Sequence, residues 1–217
     1  MTDPNVLKES LKKALKCVSA CASAAGLVNP LFSVAASLFK VAEKAVDDKY
    51  FKDLEHEFEQ INKAVNVILD QKSQILLNIK KTEVAADYTN IEENLCSQFS
   101  SYMEIVKAKP EHLQRKKKDF IRRYESGKDD HNINNLYDSV VATPKVFSKP
   151  ILTVSCYCSM RNMEVMKKLC MDLDYLFFIG CITMMTYYEL KNDNMKNRVE
   201  RWEENMKKVK KVMDQWK

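Results

Sequence analysis

Two apolar seams constrain this chain more than any other feature. From Phe51, the positions Leu54, Phe58, Ile61, Val65, Ile68, Lys72, Ile75 and Ile79 follow at alternating steps of three and four. Met195, Val199, Trp202, Met206, Val209, Met213 and Trp216 follow at steps of four and three. A repeat averaging about 3.5 residues keeps every member on one stripe of a helix, whereas a strand would scatter them over both faces. Three Gly and five Pro in 217 residues leave few tight turns, so sheet folds are disfavoured. The predicted fold class is all-α: an elongated multi-helix bundle, one domain over 1–217, with long coiled-coil-like helices and a buried apolar helical hairpin. Lys72 is the one polar seam member, and its stem can cover the seam while its ammonium reaches water.

The hairpin is read from residues 17–39, which carry no charge although 30% of the chain is charged. At about 1.5 Å per residue, an unbroken helix of that length would roughly span the hydrocarbon of a bilayer. Asn29-Pro30 breaks it, because Pro30 lacks an N–H and pushes Asn29 out of the helical region. The spacing predicts one helix from Pro4 to about Ala25 and a second from Leu31 to Val46. The run is expected to rest in the core against a second uncharged stretch, 175–188. The membrane-insertion candidates are Ala25, Gly26, Leu27, Val28, Asn29, Pro30, Leu31, Phe32, Ala35 and Phe39, pivoting at Gly26 and Asn29-Pro30.

Between these features the periodicity predicts a helix over 83–108 with Val84, Tyr88, Ile91, Leu95, Phe99, Tyr102 and Val106 inward. Pro110 ends it, and a basic helix over 111–124 follows. Ser126-Gly127 and KDDHNINN predict the main loop. Further helices are predicted over 133–141, from Pro150 with a break around Arg161-Asn162, and over 163–191. Asp172 and Asp174 border the apolar stretch and are read as ion-paired or surface groups.

The net charge of +5 is concentrated. Residues 107–123 hold eight basic and two acidic side chains, a local +6, so the rest of the chain nets −1. Arg115, Lys116, Lys117, Lys118, Arg122 and Arg123 are the candidates for an anionic surface. Only Phe120 and Tyr124 interleave them, which disfavours nucleic acid. Catalytic signatures are absent. His56-Glu57 lacks a second His at position 60, Cys156 and Cys158 are one residue apart where metal and redox motifs need two, and no Gly-rich phosphate loop occurs. No cofactor or metal is expected, and the chain is read as a non-enzyme. Seven Cys and a polar start, MTDPNVLKESLKK, favour free thiols and a cytoplasmic location, with membrane association on activation.

The string FSSYMEIVKAKPEHLQRKKKDFIRRYES at 99–126, LYDSVV at 136–141, KVFSKPIL at 145–152, Asn29-Pro30-Leu31-Phe32 and the apolar stretch near 170–188 resemble the rapunzel family of bony-fish proteins. That resemblance implies no catalytic activity and a link to skeletal and fin development and innate antiviral signalling. It also implies a helical organisation similar to cephalotoxin-like domains and α-helical pore-forming toxins. Two functions are expected: a membrane-active bundle working through the 17–39 hairpin, or alternatively a soluble cytosolic interaction protein in immune or developmental signalling. The expected partners are an anionic membrane surface, other proteins, or a second copy through the seams.

Overall fold

A computed structural model describes residues 5–22, 30–44, 48–70, 83–141, 150–193 and 195–216. Among these residues it contains nine α-helices and no strand: α1 (Asn5–Ala22), α2 (Pro30–Glu43), α3 (Asp48–Asp70), α4 (Glu83–Val106), α5 (Leu113–Ser126), α6 (His131–Val141), α7 (Ile151–Cys158), α8 (Met163–Leu190) and α9 (Lys196–Met213). Short 3-10 turns at Pro110–His112 and Asp214–Trp216 complete the order. Pro30 opens α2, where its missing N–H costs nothing. The predicted helix start at Asp3-Pro4 lies outside the described residues. So do the seam positions Lys72, Ile75 and Ile79 and the Pro144 stretch.

The axis of the molecule is α8. Every residue from Asp172 to Thr186 is buried, so this helix presents no solvent stripe over four turns. A helix apolar on all sides needs cover on all sides, and α1, α3, α4, α5, α6 and α7 all pack on it. Leu7, Leu11, Ala14 and Leu15 of α1 are at most 1% exposed, at the spacing of one helical face. Ser10 and Thr186 meet at 3.1 Å, and Lys13 pairs with Glu189, so α1 runs along the C-terminal half of α8. Its far end turns to α9, where the Cys17 thiol donates to the Val199 carbonyl and Lys16 pairs with Glu203 at 2.8 Å. The amphipathic first half of α1 therefore covers α8; most of the uncharged run expected to pack there lies outside the described residues. α2 packs on α3 and α1.

The described parts of both seams are filled within the chain; the side chains of Val65 and Ile68 lie outside the described residues. Leu54, Phe58 and Ile61 of α3 are fully buried, and Phe58, Phe99 and Tyr102 meet with ring centroids 5.5–5.8 Å apart. Met195, Val199, Trp202, Met206, Val209 and Met213 are all buried, against α1 and α6. Tyr137 of α6 meets Trp202 edge-on at 6.3 Å.

The expected loop KDDHNINN is shorter than its composition suggests, because α6 begins at His131. Its polar side chains serve the turn. Asn132, 2% exposed, donates to the Gly127 carbonyl at 2.6 Å, and Gln98 donates to the carbonyls of Gly127 and Asp129. These bonds satisfy carbonyls that would otherwise go to water.

At Gly180, α4 and α6 approach α8 closely. A Cβ there would lie 2.9 Å from Ile133 Cδ1 and 3.3 Å from Leu95 Cδ2. Gly180→Ala is expected to change stability by less than about 1 kcal/mol, since helix propensity offsets a small shift of the Ile133 tip. Gly180→Val is expected to cost about 2 kcal/mol through overpacking. Urea unfolding of the two variants checks the difference.

Candidate functional site

The features with functional potential are an enclosed span-length helix, a basic strip and a polar clasp. α8 is long and apolar enough to cross a bilayer by length and composition, and 89% of its most apolar window is buried. Twenty-eight residues give a length of about 42 Å. Its N-terminus is capped by Asn162, whose side chain accepts from the N–H groups of Glu164 and Val165.

Sequence reasoning ended the apolar stretch at Tyr175 because Asp172 and Asp174 precede it. The structure places both inside the bundle, 6% and 9% exposed. The Tyr88 hydroxyl donates to Asp172 Oδ2 at 2.6 Å, a charge-assisted bond that compensates part of the carboxylate's burial. Burial first, and then the Asp172 charge, pushes the Tyr88 hydroxyl well above its ordinary range. Tyr88, three helical steps before Phe99 on the inward face of α4, gave no signal of this role, since it reads as an ordinary core aromatic.

Of the hairpin candidates, Phe39 packs against the core and Leu38, Val41 and Ala42 beside it are buried. Pro30 opens α2. Ala25, Gly26, Leu27, Val28 and Asn29 lie outside the described residues, as do the side chains of Leu31, Phe32 and Ala35.

The basic strip on α5 is narrower than its composition. Phe120 and Tyr124 face the core, and Lys117 lies with them, 3% exposed. Glu104 of α4 holds two of the other cations: Lys116 at 2.6 Å on one oxygen and Arg123 at 3.3 Å on the other. Arg122 pairs with Asp119 at 3.0 Å. Arg115 and Lys118 are exposed. The Lys116 hydrogen bond holds the Glu104 carboxyl below its usual range.

The clasp closes the C-terminal end of α8. Asp130, at the turn before α6, accepts from the hydroxyls of Tyr124 at 2.7 Å and Tyr188 at 2.8 Å. Arg198 of α9 reaches Asp130 at 3.4 Å and lies 3.4 Å over the Tyr188 ring. Tyr124 stacks on Tyr187 at 4.5 Å, and Glu125 accepts from Tyr187 at 2.9 Å and Lys191 at 3.1 Å. Three helices and a turn are tied together where α8 ends. Cys17, the thiol nearest this region on α1, is pushed up to about 12 by burial, which removes it from nucleophilic chemistry at neutral pH.

This arrangement, a buried apolar helix sheathed by amphipathic ones, defines an all-α helical-bundle protein, and the cephalotoxin-like middle helical domain matches residues 44–217. The chain is also 46% identical over 213 residues to Protein rapunzel of Danio rerio, covering 98% of this chain and 94% of that protein. It belongs to the rapunzel family, within the cephalotoxin-like helical domain family. No solved structure matches it. The domain match begins after α2, so α1 and the hairpin precede it.

Removing the Glu104 partner has a signed consequence. Glu104 has a depressed pKa in the fold, so its contribution is present above the unfolded value and is lost as pH falls through the folded one. Lys116→Ala is expected to move the Glu104 titration upward, with a stability cost under about 1 kcal/mol for this partly exposed pair. Carboxyl carbon NMR across the acid range reads the shift.

Proposed function

We propose that the chain is a non-catalytic, membrane-active helical bundle that rests closed in the cytoplasm and opens at an anionic bilayer. The observation that carries this reading is α8, a helix of spanning length whose residues Asp172–Thr186 are all enclosed by amphipathic neighbours. The cover that moves is the N-terminal hairpin. α1 lies between α8 and α9, and the 17–39 run gives it an apolar segment of its own to place in lipid.

Magnitudes decide when this happens. Exposing Leu7, Leu11, Leu15 and Val18 costs roughly 1.5–3 kcal/mol each, on the order of 10 kcal/mol together. Attraction of basic side chains to anionic lipid supplies about 1 kcal/mol per cation near the surface. Several of the cations here are already engaged by Glu104 and Asp119. Electrostatics alone therefore leaves the bundle closed, and insertion of the hairpin itself must return the rest. Glu104 and Glu125 are held below the ordinary carboxylate range, so their pairs persist until pH falls below it, and they join α5 to α4 and to the end of α8 while α1 is held elsewhere.

The second reading is a soluble interaction protein in immune or developmental signalling, acting through partner proteins or a second copy. The self-neutralised strip favours it: of the six candidate cations, Lys117 is buried and three are paired, which leaves Arg115 and Lys118 exposed.

Dye release from vesicles rich in phosphatidylserine separates the two. The membrane reading expects release that drops about tenfold in Ala35→Asp, because a charge in an inserting segment costs on the order of 1.4 kcal/mol or more. Intact vesicles at both neutral and acid pH would leave the interaction reading.

A further inference from the structure

The corner between α7 and α8 carries the large apolar side chains that the rest of the molecule hides. Met160 is 91% exposed, Tyr157 73% and Met163 45%; they are the exposed large hydrophobics among the described residues. All three fall within seven residues. Scattered single apolar residues on a surface mean little, but a concentration of this kind at one protruding turn marks a contact site.

The backbone makes the choice of residue more pointed. α7 ends in a Schellman cap: the Arg161 N–H donates to the Cys156 carbonyl at 2.8 Å, and the Met160 N–H to the Tyr157 carbonyl at 3.2 Å. α8 ends the same way, through Asp193 to Tyr188 and Asn192 to Glu189, both 3.1 Å. The cap position after each helix takes a left-handed conformation, φ 54° at Asn192 and 52° at Met160. Asn is a residue that tolerates this conformation; Met is not, and Gly would be the ordinary occupant. Arg161, at φ 61°, adds a second left-handed residue beside it. Met160 is thus unfavourable for the backbone and gains nothing from packing. Folding gives no reason for a methionine here.

We infer that the Tyr157–Met160–Met163 corner is a docking tip that enters the interfacial layer of an anionic bilayer. Three side chains are far too few for a protein interface, which needs about 800 Å² per partner. A tyrosine with an apolar ring and polar hydroxyl, two flexible methionines and an exposed arginine between them match the headgroup boundary. Glu164, the nearest carboxylate in sequence, is paired with Lys168 at 2.9 Å. The tip is also continuous with α8: Met163 is its first residue, so docking sets the span-length helix end-on to the membrane. The inference rests on the membrane reading above and specifies its first contact.

The test exploits opposite signs. Flotation with phosphatidylcholine vesicles containing one-fifth phosphatidylserine measures docking without requiring leakage. The wild type is expected to float. Met160→Gly is expected to bind roughly fivefold more weakly, having lost an inserted apolar side chain, while its thermal midpoint rises because the left-handed strain is relieved. Met160→Leu should float as the wild type does. A structural role for Met160 would move stability and binding together. The assignment is overturned if the wild type fails to float, if Met160→Gly floats unchanged, or if that variant alters the lipid-free mass by light scattering, which would make the corner a self-association site. Flotation without dye release would leave the tip in place and remove only the opening of the bundle.

Discussion

A helix buried on every side dictates the architecture around it. Between Asp172 and Thr186, α8 has no face on which to carry charge, so the other helices must be amphipathic and must approach from all directions. Leu7, Leu11 and Leu15 on α1, Tyr88, Leu95 and Phe99 on α4, and Ile133 and Leu136 on α6 are that cover seen from the outside in. The two polar groups this helix buries near its start are accommodated and not excluded: Asp172 takes a hydroxyl from Tyr88. Breaking such a bond leaves a buried carboxylate short of a donor, which costs more than the bond itself contributes.

The ends of α8 are handled differently, and the difference bears on how the bundle could open. At the C-terminal end, Asp130 gathers Tyr124, Tyr188 and Arg198, and α1 is pinned there through Lys13 and Glu189. At the N-terminal end, the Asn162 cap, the Glu164–Lys168 pair and the buried Tyr88–Asp172 bond lie beside an exposed corner with left-handed backbone at Met160 and Arg161. Polar pairs at partly exposed positions contribute little individually and are screened by salt. They fix geometry more than they add stability, and the apolar face of α1 supplies most of what holds the cover down.

Much of the fold was legible because periodicity survives in the sequence without a structure. The C-terminal seam from Met195 to Met213 and the α4 face from Tyr88 to Val106 are buried as their spacing predicts. Pro30 and Asn162 begin helices where their chemistry places them. What composition obscured was partnership. HNINN reads as solvent-loving loop, yet Asn132 is buried because it bonds the Gly127 carbonyl. RKKK reads as one basic strip, yet Lys117 turns inward and Glu104, twelve and nineteen residues away in sequence, claims Lys116 and Arg123. Met160 gave no signal at all, since a left-handed φ at a non-glycine residue is not written in any spacing rule. The insertion candidates at Ala25–Asn29 lie outside the described residues.

The central claim is that α8 is a span-length helix held in the core by cover that lipid can displace. Hydrogen–deuterium exchange of the full chain, with and without phosphatidylserine vesicles, addresses it directly. Without lipid, the amides of 166–186 should be the slowest in the molecule. With lipid, α1 should lose protection while 166–186 stays slow, since those amides pass from protein to hydrocarbon without meeting water. An exchange pattern unchanged by vesicles, or amides in 166–186 that exchange as fast as those of α2 in solution, would contradict the account.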